Sequence, residues 1–168
     1  ELEDEKYLTD NLANSAIWFG VLSEDRIVAC HRVVLPNDKN KLEVELYQKF
    51  TPVLAEISNV CELNRLAVDF DFRRTPVLLL LLRYEFEWML QNGISRVYTT
   101  AKFPEPGEMF VKLGLKYYDH QPFTYEERDK NKVKLLFADI TNMSLEKSRL
   151  FKVSQKIIEG FARPLQRQ

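Results

Sequence analysis

The chain has 168 residues, 45% hydrophobic and 12% aromatic, which is enough for one globular domain with a sizeable core and too apolar for intrinsic disorder. Lysine and arginine (24) nearly balance aspartate and glutamate (25), so the net charge of -1 gives no global field for nucleic acid, and a charged partner must be met by a local patch. The longest apolar run, residues 76–82, is far short of the roughly 20 residues of a membrane span; with no N-terminal signal pattern either, the cytoplasm is the expected compartment.

Residues 1–14 read as a polar leader, and because the chain opens on Glu1 rather than methionine, an upstream portion is expected. Residues 16–22 and 27–36 are β-rich runs around the polar turn Ser23-Glu24-Asp25-Arg26, which predicts a hairpin whose second strand ends at Pro36. Residues 41–50 predict a short helix or a loop packed on the sheet. Cys61-Glu62-Leu63-Asn64-Arg65-Leu66-Ala67-Val68 is the next strand. Cys30 and Cys61 carry no metal-ligand spacing and read as small buried hydrophobes.

Thr75 as a cap and Pro76 at the first position open the best-marked helix, which runs through Trp88 and Leu90 and stops before Asn92-Gly93. Residues 94–101 form a strand entered from that glycine, so a strand-helix-strand crossover and a parallel pair are expected. A helix over 108–113, a brief strand over 115–118, a charged turn over 125–131, a strand over 133–140 and a C-terminal helix over 144–168 complete the chain. The sum is an α/β domain: a mixed, mostly antiparallel sheet with helices on both faces.

Glu62 and Arg65 stand out because a strand that buries charge must pair it or line a polar cleft with it. His31 and His120 have no companion that suggests a triad or a metal and read as structural.

The strand 27–36 with Arg32, the Glu62-Leu63-Asn64-Arg65-Leu66-Ala67-Val68 strand, Thr99-Thr100, and Phe110-Val111-Lys112-Leu113-Gly114-Leu115 together resemble the acyl-homoserine-lactone (autoinducer) synthases and the related N-acyl amino acid synthases, both of the GCN5-related N-acyltransferase fold. The resemblance runs from about residue 16 to 118, and the glutamate, two residues, arginine pattern is its most specific part. It implies a single acyltransferase domain over 1–168 that moves a long-chain fatty acyl group onto the amine of an amino acid. Where autoinducer synthases carry two acidic residues for S-adenosylmethionine, this chain has Asn11 and Asn14, although Asp10 is one residue away. That loss favours the amino acid branch. A lactone synthase, or a non-catalytic module that binds lipid or a carrier protein, is the alternative.

The resemblance also assigns the site. Glu62, Arg65 and Arg32 are the catalytic candidates: Glu62 accepts the acceptor's ammonium proton or pairs with an arginine, and an arginine fork suits the acceptor carboxylate. Backbone amides near Leu66, Ala67 and Val68 would meet the oxyanion. Arg73, Arg74 and Thr75 belong to the donor loop, whose usual glycine positions hold Pro76 and Leu78. A degraded diphosphate cradle favours a phosphopantetheine arm on acyl carrier protein over acyl-CoA as the donor, with no permanently bound cofactor and no metal. Arginines flanking that loop suit an acidic carrier protein. Trp18, Thr99, Thr100 and Phe110 would line the acyl tunnel, Phe110 standing where many acetyltransferases have a tyrosine acid.

Overall fold

β1 (Ala16–Ser23) and β2 (Arg26–Val34) form the expected hairpin, followed by β3 (Val60–Val68), α1 (Val77–Gln91), β4 (Arg96–Lys102), α2 (Gly107–Lys112), β5 (Lys116–Tyr117) and β6 (Val133–Asp139). This is a computed structural model, and it describes residues 12, 16–36, 41–125, 130–142, 152 and 156. The six strands lie in the order β1-β2-β3-β4-β6-β5. Every neighbouring pair is antiparallel except β3 and β4, which the α1 crossover makes parallel. Most of the leader and of the C-terminal helix expected over 144–168 lie outside the described residues.

Alternation along the strands divides the core in two. On one face Cys61, Leu63, Val97, Ala101, Leu136 and Ala138 pack against α1 and α2. On the other, Val60, Tyr98 and Leu135 meet the segment after β2, through Leu42, Val44, Phe50 and Leu54. Among the described residues this second face is covered by short 3-10 turns, Glu43–Leu46 and Leu54–Glu56, while both α-helices lie on the first. Glu45 ties the two turns together: its carboxylate accepts from the N–H groups of Leu42, Leu54 and Ala55 at 3.2, 2.6 and 3.2 Å.

α1 begins one residue later than its Pro76 signal suggests. Thr75 nonetheless works at this end, its hydroxyl donating to Phe72 O at 2.7 Å and accepting from Val77 N at 3.4 Å. The helix stops at Asn92-Gly93, where Gly93 takes a φ of +72° that a side chain would make costly.

Two departures from a regular ladder position everything that follows. β3 and β4 are paired only from Val60↔Arg96 to Leu63↔Thr99, after which the ladder ends and the two strands leave a wedge between them. β3 also bulges against β2: Arg32 pairs with Asn64 and Cys30 with Ala67, so the single residue His31 faces both Arg65 and Leu66. Arg65 takes up the extra residue with a φ of +56°.

Candidate active site

The bulge explains the spacing of glutamate and arginine. Residues three apart on a regular strand point to opposite faces, so Glu62 and Arg65 would be separated by the sheet. With the extra residue inserted, Asn64 and Arg65, adjacent in sequence, both reach the carboxylate of Glu43: Asn64 Nδ2 donates to Oε2 at 2.6 Å and Arg65 Nη2 to Oε1 at 2.9 Å. Arg32 completes the cluster from β2, donating through Nε to Asn64 Oδ1 at 2.7 Å and through Nη2 to Glu43 Oε2 at 2.8 Å. Arg32 is 3% exposed and Glu43 12%, whereas Arg65 stands out at 43%.

Glu62 lies on the same face, fully buried, one residue before the point where β3 and β4 part. Its Oε2 accepts from Val44 N at 3.1 Å, and its Oε1 has no hydrogen-bond partner among the described residues. Burial, with the nearby Glu43 carboxylate, pushes its pKa up to about 7 against the pull of the Val44 hydrogen bond. Arg32 and Arg65 both pair with Glu43, and burial keeps Glu62 protonated to a higher pH than an exposed carboxyl.

The wedge supplies the second element. Asp69 N donates across to Val28 O at 2.8 Å, so by strand alternation Val68 turns its N–H to the other edge, into the wedge. Arg73 reaches the same edge, its Nε 3.3 Å from Val68 O and its guanidinium 5.5 Å from the Phe70 ring. Arg73, Arg74 and Thr75 are exposed at the start of α1.

On the helix side of the sheet, Leu63, Leu82, Phe86, Thr99, Phe110 and His31 are among the residues lining an apolar slot beneath the wedge. Its free space is about 20 Å³, room for one water, so a long acyl chain enters only if side chains such as Leu82, Phe86 or Phe110 turn aside.

The structure therefore sorts the residues singled out in the sequence into three places. Glu62, Arg32 and Arg65 share one cluster. Leu66, Ala67 and Val68 run along the wedge, with Leu66 and Val68 packed towards α1 and Phe72. Thr99 and Phe110 line the slot, but Thr100, next along β4, faces the opposite side, where its hydroxyl is bonded to the Tyr125 hydroxyl. Burial pushes the Tyr125 phenol up, and the carboxylates of Glu62 and Glu43 add to the effect. Trp18 also lies away from the slot: it pairs with Arg32 across β1 and β2, its ring 5.8 Å from the Arg32 guanidinium, and it is 55% exposed.

Sequence reasoning missed Glu43, Asn64, Tyr125 and Glu85. Asn64 was readable, two residues from Glu62 and hence on its face. Glu85 was readable too, as a carboxylate four residues from both Leu81 and Met89 on the buried side of α1. Glu43 and Tyr125 carry no local signal, because loop closure alone brings them to the cluster.

No protein-family model and no curated protein matches the sequence. Solved structures do match the fold. A CoA-dependent acyl-homoserine lactone synthase, BjaI, with SAM and isopentyl-CoA superposes with a TM-score of 0.61 at 15% identity, over 90% of this chain and 68% of that one. MesI, another CoA-dependent acyl-homoserine lactone synthase, gives 0.62 at 19% identity over 90% and 73%. FeeM, an N-acyl amino acid synthase from uncultured soil microbes, gives 0.60 at 14% identity over 76% and 74%. The chain has the GCN5-related N-acyltransferase fold, in the form it shares with acyl-homoserine lactone synthases and an N-acyl amino acid synthase.

Proposed function

We propose that the protein is an N-acyltransferase that moves a fatty acyl group from a phosphopantetheine thioester to the amine of an amino acid. The observation that carries this reading is the fully buried Glu62, half-satisfied and with a pKa near 7, at the mouth of the β3–β4 wedge. A base with that pKa suits removing a proton from an ammonium near neutral pH.

In this reading the pantetheine arm lies in the wedge, with the thioester carbonyl at the Val68 N–H. Glu62 takes the ammonium proton, directly or through a water. The freed amine attacks the thioester carbon and the C–N bond forms; the attacking nitrogen gives its second proton to solvent, the C–S bond breaks, and the departing thiolate takes up a proton from solvent. Fixed backbone donors stabilise the oxyanion without reorganising. Arg65, the more exposed arginine of the cluster, is the group that meets the acceptor's carboxylate, while Arg32 holds Glu43 in place. Arg73 and Arg74, beside the N-terminal end of the fifteen-residue α1, suit the donor phosphate.

Two carriers fit the donor. Acyl carrier protein is supported by Pro76 and Leu78 standing where a diphosphate cradle has glycines; coenzyme A is the donor named for BjaI and MesI. The reading is tested by mass spectrometry of lipids from a host expressing the protein, followed by assay of the purified chain with acyl-CoA and acyl carrier protein thioesters. N-acyl amino acids are the expected product. Lactones would instead support the second reading, an autoinducer synthase, which the wider overlap with BjaI and MesI (90% of this chain, against 76% with FeeM) favours.

A further inference from the structure

His31 and Glu85 form a polar pair that the reaction above does not use. His31 Nδ1 lies 2.9 Å from Glu85 Oε2, and the two side chains are 4% and 0% exposed. Glu85 projects from the face of α1 that otherwise buries Val77, Leu81, Leu82, Phe86 and Met89. Burial drives its carboxyl above the usual carboxylate range, against the pull of His31. Packing alone gives no reason for such a pair, since an apolar pair of similar volume is often as stable or more so.

Part of the pair's hydrogen-bonding capacity is unspent. Glu85 Oε1 is buried without a partner, and His31 Nε2 makes no hydrogen bond among the described residues. His31 lines the apolar slot, where, among the described residues, Thr99 is the only other lining side chain with a polar atom. By register His31 also faces the bulge at Arg65 and Leu66, which sets it at the wedge end of the slot. His31 therefore brings an imidazole to the lining of the slot.

We infer that the slot takes a hydroxylated acyl chain and that His31 holds its hydroxyl. This rests on the slot being the acyl site of the proposed transferase. When a neutral His31 keeps its proton on Nδ1 and donates a hydrogen bond to the ionised Glu85 carboxylate, Nε2 is an acceptor; when a protonated Glu85 donates to Nδ1, the imidazole carries its proton on Nε2, which is then a donor. A hydroxyl answers either state, because it both donates and accepts. A ketone answers only the second, and a methylene answers neither and leaves Nε2 stripped of water without a partner.

The test offers the purified protein a set of acyl-CoA and acyl carrier protein thioesters of one chain length, unsubstituted or bearing a hydroxyl at successive carbons, with an amino acid mixture as acceptor. Thiol release and N-acyl product are followed. One hydroxy isomer is expected to exceed the unsubstituted chain in kcat/KM by about tenfold or more. The preference is expected to vanish in the double variant His31→Leu/Glu85→Leu, which leaves no stranded carboxylate, and to persist in Thr99→Val. Equal or better use of the unsubstituted chain by the wild type overturns the inference whether or not the double variant folds, as does a preference that survives the double variant. Absence of transfer from every thioester overturns the acyltransferase reading itself, and this inference with it.

Discussion

Arg32, itself buried, and the partly buried Glu43 form an ion pair, Nη2 to Oε2 at 2.8 Å, joining β2 to a 3-10 turn eleven residues further on. Asn64 and Arg65 close on the same carboxylate, so removing it takes a shared acceptor from three side chains at once. Glu43→Ala is therefore expected to cost about 3–5 kcal/mol, the usual range for breaking a buried pair. Urea unfolding of the variant checks this, and a loss comparable to that at an exposed surface pair would show that the cluster holds little.

Glu62→Gln keeps the shape of the side chain and removes the base. Thiol release from an acyl thioester is expected to fall by about 10²- to 10⁴-fold in kcat. For the wild type, kcat/KM is expected to rise with pH through about 7, as Glu62 deprotonates, and the variant is expected to lack that limb.

The same residue predicts a pH dependence of stability. Glu62 titrates at about 7 in the fold against 4.5 for an unperturbed glutamate, so the folded protein holds the extra proton. The resulting stabilisation is complete below about 4.5 and is lost as pH rises through about 7. Glu62→Gln, which cannot ionise, should therefore gain on the wild type as pH is raised from about 5 to about 8. Glu85 shifts in the same direction but is common to both proteins and cancels in the difference. Denaturant midpoints at the two pH values supply the measurement; a constant difference would place the Glu62 pKa elsewhere.

Arg65 carries backbone strain as well as charge, because its φ of +56° is unfavourable for any residue with a Cβ. Arg65→Ala and Arg65→Gly lose the same bond to Glu43, but only glycine relieves the backbone. The glycine variant is expected to be the more stable of the two by about 1 kcal/mol, and thermal unfolding of the pair decides it.

The fold was largely legible in the sequence. The hairpin, the crossover with its parallel pair and the end of α1 at Asn92-Gly93 all follow from alternation, capping and the glycine signal. What the residues did not disclose were events at a distance. A bulge at Arg65 has no compositional mark, since arginine is not a residue that favours a positive φ, yet it determines which side chains share a face. Glu43 lies in a loop whose path is fixed by Glu45 bonding to Leu54 and Ala55, contacts no local pattern announces. The two threonines of β4 show the converse: alternation alone separates Thr99 from Thr100, and a strand cannot place both on one tunnel wall.

The central claim is that the wedge and Glu62 together transfer an acyl group to an amine. The most direct measurement incubates the purified protein with acyl-CoA or acyl carrier protein thioesters and an amino acid mixture, following free thiol alongside mass detection of the product. The account predicts stoichiometric thiol and N-acyl amino acid from the wild type, with both all but abolished in Glu62→Gln. Equal transfer by Glu62→Gln, or thiol release with no acylated amine, would contradict it.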